Sequence, residues 1–148
     1  MPFGLKSIWF QLVTELAVIV WFVTRFWSQY AAGVFDGPDG LVTLGRTMLW
    51  FMAATVVAII IVHIIGLIAF AIAEGGEEPD TTTDERDEAI EARGEKVSNT
   101  ASGIGLVGGV VLMTLGQPVP IVMAAIFIGC LTAAIIGNIV KLRAYAEG

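Results

Sequence analysis

Two side chains in this sequence can carry a proton and sit where a soluble protein would not place them. Glu15 lies seven residues into an apolar run that starts at Ile8, and His63 lies ten residues before the end of another that closes at Ala73. At about 1.5 Å per helical residue, those positions are about 10 Å and about 15 Å below one face of a membrane. The two side chains therefore meet if their helix faces agree. Imidazole changes charge near neutral pH and a carboxyl group gives up or takes a proton, so a Glu15–His63 pair is a candidate relay. The competing reading is that Glu15 reaches toward lipid headgroups while His63 hydrogen-bonds a neighbouring helix. Asn138, near the end of the last apolar stretch, is expected to hydrogen-bond between helices. Arg25 stands near the opposite interface, where a long side chain extends to phosphates.

Other chemistry is sparse. The sequence has no phosphate loop, no nucleophile elbow, no HExxH and no CxxC. The single cysteine, Cys130, lies in an apolar stretch and reads as a small hydrophobe. One histidine without a second axial ligand does not support haem, and carboxylates spread along a helix do not converge on a metal ion. Asp36 and Asp39 belong to the turn Asp36-Gly37-Pro38-Asp39-Gly40, which accounts for them without a cation. No enzyme activity, cofactor or metal is expected. With no basic stripe interleaved with aromatics, nucleic acid is not expected as a partner either.

The elements that must position Glu15 and His63 are long apolar segments. Of the 148 residues, 56% are hydrophobic, and mean hydropathy is +0.81. A spanning helix needs about 20 mostly apolar residues, and four stretches qualify: 8–30, 47–73, 98–115 and 119–140. Their unbroken apolar runs lack the period-two alternation of a membrane β-barrel. The first is longer than a cleaved leader's apolar region and carries Glu15 and Arg25, so a retained helix is expected. Gly116-Gln117-Pro118-Val119-Pro120 is so short that spans three and four must form a tight antiparallel hairpin. The fold class is all-α: a polytopic four-span bundle in one membrane domain, with a short amphipathic helix between spans two and three.

Charge is confined. The net charge is −6, yet ten of the fourteen acidic residues fall between Glu74 and Lys96. With four spans, the N-terminus, this acidic segment and the C-terminus share one side. That side holds Lys6, Arg86, Arg93, Lys96, Lys141 and Arg143, against Arg25 and Arg46 on the other. The bias predicts both termini in the cytoplasm. Trp9 and Phe10 at one end of span one, and Trp27 and Tyr30 at the other, fit interfacial aromatic belts.

The residues from Glu74 to Asp80 read as a solvated linker, after which Thr82 and Glu85 match a capping box. From there helical spacing forms two stripes, Asp84, Glu88, Glu91 and Glu95 on one, and Arg86, Ile90, Arg93 and Val97 on the other. The second stripe is expected on the headgroups, with the carboxylates facing water either as a solvated face or as a docking surface for a partner. Gly94 is the one weak point of that helix. The run Asp84-Glu85-Arg86-Asp87, followed by Ile90 and Arg93 and then an apolar hairpin, resembles the hallmark of a family of small four-span prokaryotic membrane proteins of unknown function. In that family a DERD-like signature lies on the cytoplasmic side between the second and third spans. The resemblance implies the same topology in a prokaryotic cytoplasmic (inner) membrane, and it implies no activity.

Spans three and four share a rhythm of small residues: Ala101, Gly105 and Gly109 in one, and Ala125, Gly129, Ala133 and Gly137 in the other. Such ladders let helix backbones approach closely. Their expected use is across the hairpin, or between separate chains. Together with the exposed acidic stripe, they point to a protein that acts by association in the bilayer, as an accessory or assembly subunit or as a homo-oligomer. The alternative is a small oligomeric transporter or proton- or ion-conducting unit built on Glu15 and His63.

Overall fold

The computed structural model describes residues 3–73 and 85–147. They form four helices, α1 (Phe3–Ala31), α2 (Gly40–Ala73), α3 (Glu85–Thr114) and α4 (Val119–Ala146), with no strand among the described residues. All four are long and apolar enough to cross a bilayer. Helix is what the sequence demands there, because hydrocarbon offers no partner for a free backbone N–H or C=O. Threonines inside the apolar stretches satisfy their hydroxyls the same way. Thr14, Thr24 and Thr55 each donate to the carbonyl four residues back, at 2.8 Å. The expected linker 74–80, Thr82 of the capping box and Asp84 lie outside the described residues.

The turns are built from their sequences. Asp36 N–H donates to Gly33 O and Gly40 N–H to Gly37 O in the loop between α1 and α2. At the end of α3, Gly116 takes φ +73°, Gln117 N–H reaches back to Leu112 O and Gly116 N–H to Met113 O. This left-handed cap stops the helix while filling its last carbonyls. Pro118 stands at the N-cap of α4 and Pro120 in its first turn, where the missing proline N–H costs no helix bond.

Packing runs in a row. α3 lies along α4, α4 also packs on α1, and α1 packs on α2. The end at which α1 starts and α4 finishes carries Lys141 and Arg143, and we call it the charged end. The opposite half is held by aromatic rings. Phe22 is fully buried, 4.6 Å from Phe127 of α4 and 4.8 Å edge-on from Phe51 of α2, and Phe26 stacks on Phe35 of the loop at 5.3 Å. Leu44 and Met48 complete this cluster. Aromatic pairs of this geometry are worth about 0.5–1.5 kcal/mol each, and they tie α1, α2 and α4 together where hydrophobic driving force between helices is weak.

The acidic helix is not a separate element. Residues 85–97 continue without a break into the third apolar stretch, so α3 is one rod of 30 residues. The helix continues through Gly94, where α4 lies against it. A stripe of Arg86, Ile90, Arg93 and Val97 does not present one face outward. Ile90 is 7% exposed, on the side of α3 that meets α4, while Arg86 and Arg93 are exposed. The physical reason is that α4 runs past the end of its apolar stretch at Val140 and offers this helix a protein surface. Asp87, assigned to neither stripe from the sequence, accepts a 2.7 Å hydrogen bond from Tyr145 Oη.

Candidate functional site

Polar side chains from α1, α3 and α4 converge near the charged end. Glu15 of α1 is 9% exposed and Asn138 of α4 is 4% exposed. The Asn138 Nδ2 amide donates to both Glu15 carboxylate oxygens at 3.1 Å. α1 places Glu15 there because Leu12, Val18 and Phe22 bury the same side of the helix. Around this pair opens a polar crevice of about 360 Å³, with Gln11 and Glu15 on one wall, Ser98 and Asn99 on a second, and Asn138 and Lys141 on the third. Glu95 also borders it and is exposed to solvent, as is Asn99.

Lys141 is the cation of this crevice, and it is already engaged. Its ammonium group donates to Glu91 of α3. Its carbon stem crosses α3 at Gly94, where Lys141 Cγ, Cδ and Cε occupy the space a Cβ would take. Glu91 is 57% exposed, so this ion pair is half solvated and worth about 0–1 kcal/mol.

The Glu15–His63 pair expected from depth does not form. Glu15 is bonded to Asn138, and His63 Nε2 instead accepts from the Gln11 amide at 3.3 Å. Depth put the two within about 5 Å of each other, but azimuth turned the Glu15 carboxylate toward Asn138 of α4. They do border one small crevice of about 60 Å³, together with Gln11 and Thr14. Gln11 and Asn138 are the partners that depth alone did not single out. Asn138 could have been paired with Glu15, since both lie a short way inside the charged end.

Of the acidic stripe, Glu88, Glu91 and Glu95 are all exposed, and Glu91 also pairs with Lys141. The small residues sit as follows. A Cβ on Gly105 would stand 3.3 Å from Gly129 Cα, and one on Gly137 would meet Gly94 O and Ser98 Cβ at 2.9 Å. Gly109 faces the Ile126 side chain, Ala133 is buried, and Ala101 and Ala125 are half-buried. Down α3, then, Asp87, Glu91, Gly94, Gly105 and Gly109 face Tyr145, Lys141, Gly137, Gly129 and Ile126 in turn. Arg25 is exposed, as is Cys130. Among the described residues no group of histidine, cysteine and acidic side chains converges as metal ligands would. No protein-family model matches this chain, and no curated protein or solved structure is significantly similar to it.

Proposed function

We propose that this chain is a non-enzymatic integral membrane protein that acts by association, as a homo-oligomer or as a subunit of a larger membrane complex. The observation that carries the reading is the row in which its helices pack. A row leaves a cleft between α1 and α2, about 630 Å³ in volume and floored by Ala17, Ala54 and Ala58 between Phe10, Val13 and Trp21. Small residues at helical spacing let another helix approach closely. The positive residues at the charged end favour both termini in the cytoplasm, and a prokaryotic cytoplasmic membrane is the setting the charge pattern and the DERD-like run suggest. The Glu88 and Glu95 face is available to a cytoplasmic partner.

A second reading, a small transporter or proton-conducting unit, draws on Glu15 and His63 sharing one crevice. The ring cluster around Phe22 packs α1 against α2 and α4 farther along α1 from that crevice, which favours a route between copies over one through a single copy.

The deciding experiment is the mass and composition of the particle taken from its native membrane into lipid nanodiscs. The expected result is a particle containing two or more polypeptides, abolished when Ala17 and Ala58 are replaced by Phe to fill the cleft. A stable particle with one 15.7 kDa chain would refute association.

A further inference from the structure

We infer that the 360 Å³ crevice between α1, α3 and α4 is a binding site for a primary ammonium group, with Glu15 as the partner of its charge. The inference does not depend on how the chain associates. It starts from an incomplete hydrogen-bond set. An ionised carboxylate offers about four acceptor sites, and burying it is costly unless a counter-charge and donors are supplied. Glu15 is nine-tenths buried, and among the described residues Asn138 alone donates to it. The one cation lining the crevice, Lys141, is committed to Glu91. The protein thus provides a buried carboxyl group beside an ammonium, Lys141, that adds charge from nearby but hydrogen-bonds Glu91 rather than Glu15.

The rest of the lining fits the same guest. Gln11 and Asn99 bring amide oxygens and Ser98 a hydroxyl, all able to accept from N–H donors. Glu95 at the exposed edge adds a second negative charge, which disfavours anions. The volume equals roughly a dozen waters at about 30 Å³ each, far more than a bare monovalent ion needs and enough for an ammonium bearing a short carbon chain. A quaternary ammonium carries no N–H donor, so it keeps the attraction of charge but makes none of these hydrogen bonds. The crevice lies level with the end of the apolar part of α4, where both a free amine from water and an aminophospholipid headgroup can reach it.

The test uses the full chain in nanodiscs of phosphatidylcholine and phosphatidylglycerol, which hold no primary ammonium. Ethylammonium chloride and tetramethylammonium chloride are titrated calorimetrically at constant ionic strength. Ethylammonium is expected to bind saturably, about tenfold or more tighter than tetramethylammonium. Glu15→Gln, which keeps the side-chain shape and still accepts from Asn138, should weaken it by about tenfold or more. Asn99→Leu, at the exposed edge, should weaken it as well and serves if Glu15→Gln does not fold. In a parallel arm the protein is exchanged into nanodiscs containing phosphatidylethanolamine, and its retained lipids are identified by native mass spectrometry. Glu15-dependent retention of phosphatidylethanolamine assigns the guest as a headgroup, and saturable free ethylammonium without such retention assigns it as a soluble amine. Failure of both arms overturns the site, as does tetramethylammonium binding equal to ethylammonium or binding unchanged in both variants.

Discussion

Replacing Gly105 by Leu should separate α3 from α4, whereas the same change three residues later should do almost nothing. At Gly105 the atom nearest a new Cβ is backbone, Gly129 Cα at 3.3 Å, followed by its carbonyl carbon at 3.4 Å. Backbone cannot rotate away as a side chain can, so the strain falls on the distance between the helices. A Cβ alone is already tighter there than ordinary contact, so leucine pushes the seam toward the about 8–10 Å interaxial spacing that ordinary side chains require. Overpacking of this kind costs about 1–3 kcal/mol. Here the upper end applies, because Gly94–Gly137 and Gly109–Ile126 lie on the same seam and loosen with it. About 3 kcal/mol is roughly a hundredfold in the folding equilibrium. At Gly108 nothing lies within 4 Å of a new Cβ, and leucine is the better helix former by several tenths of a kcal/mol. Reversible unfolding by SDS in mixed bicelles, followed by circular dichroism, measures both variants against the parent. Gly105→Leu as stable as the parent, or Gly108→Leu as damaging as Gly105→Leu, would refute the seam.

Three further outcomes follow from the same contacts. Asn138→Leu removes the donor to a buried carboxylate and should cost about 1–3 kcal/mol, and adding Glu15→Leu should restore most of it, a non-additivity read from a double-mutant cycle by the same unfolding assay. Phe22→Ala empties a fully buried ring site and should cost about 3–5 kcal/mol, visible as a lowered thermal midpoint. Lys141→Met keeps the stem over Gly94 and loses the Glu91 pair, so it should cost no more than about 1 kcal/mol at low salt and less at 0.5 M salt.

The spans were legible because an apolar run of membrane length admits little besides helix. The hairpin was legible too, since five residues with two prolines leave no room for another path. What the sequence hid was azimuth. Each residue turns a helix by about 100°, so equal depth says nothing about which neighbour a side chain faces. Glu15 and His63 illustrate this: close in depth, yet bonded to Asn138 and Gln11. Gly94 illustrates a second loss. Its local meaning is a weak helix position, and its actual setting is decided by Lys141, far along the chain. The pattern at 85–97 has the same limit: likeness of side chains does not fix which side meets a neighbour, and here Tyr145 and Lys141 engage Asp87 and Glu91. An unbroken α3 was open to sequence reasoning, since no proline separates Glu85 from Thr114.

The row of helices also has an elastic consequence. On α3 the stretch free of charged and amide side chains runs from Thr100 to Thr114, about 22 Å at about 1.5 Å per residue, against a hydrocarbon thickness of about 30 Å. On α2, at the other end of the row, Met48 to Ala73 spans about 39 Å by the same rise. One edge of the molecule therefore thins the lipid beside it while the opposite edge thickens it or tilts, at a fraction of a kcal/mol per Å of mismatch. The protein behaves as a ramp in the membrane. Two ramps relax the lipid between them when thin edge meets thin edge or thick meets thick, so bilayer thickness alone gives neighbouring copies a preferred orientation before any side chain touches.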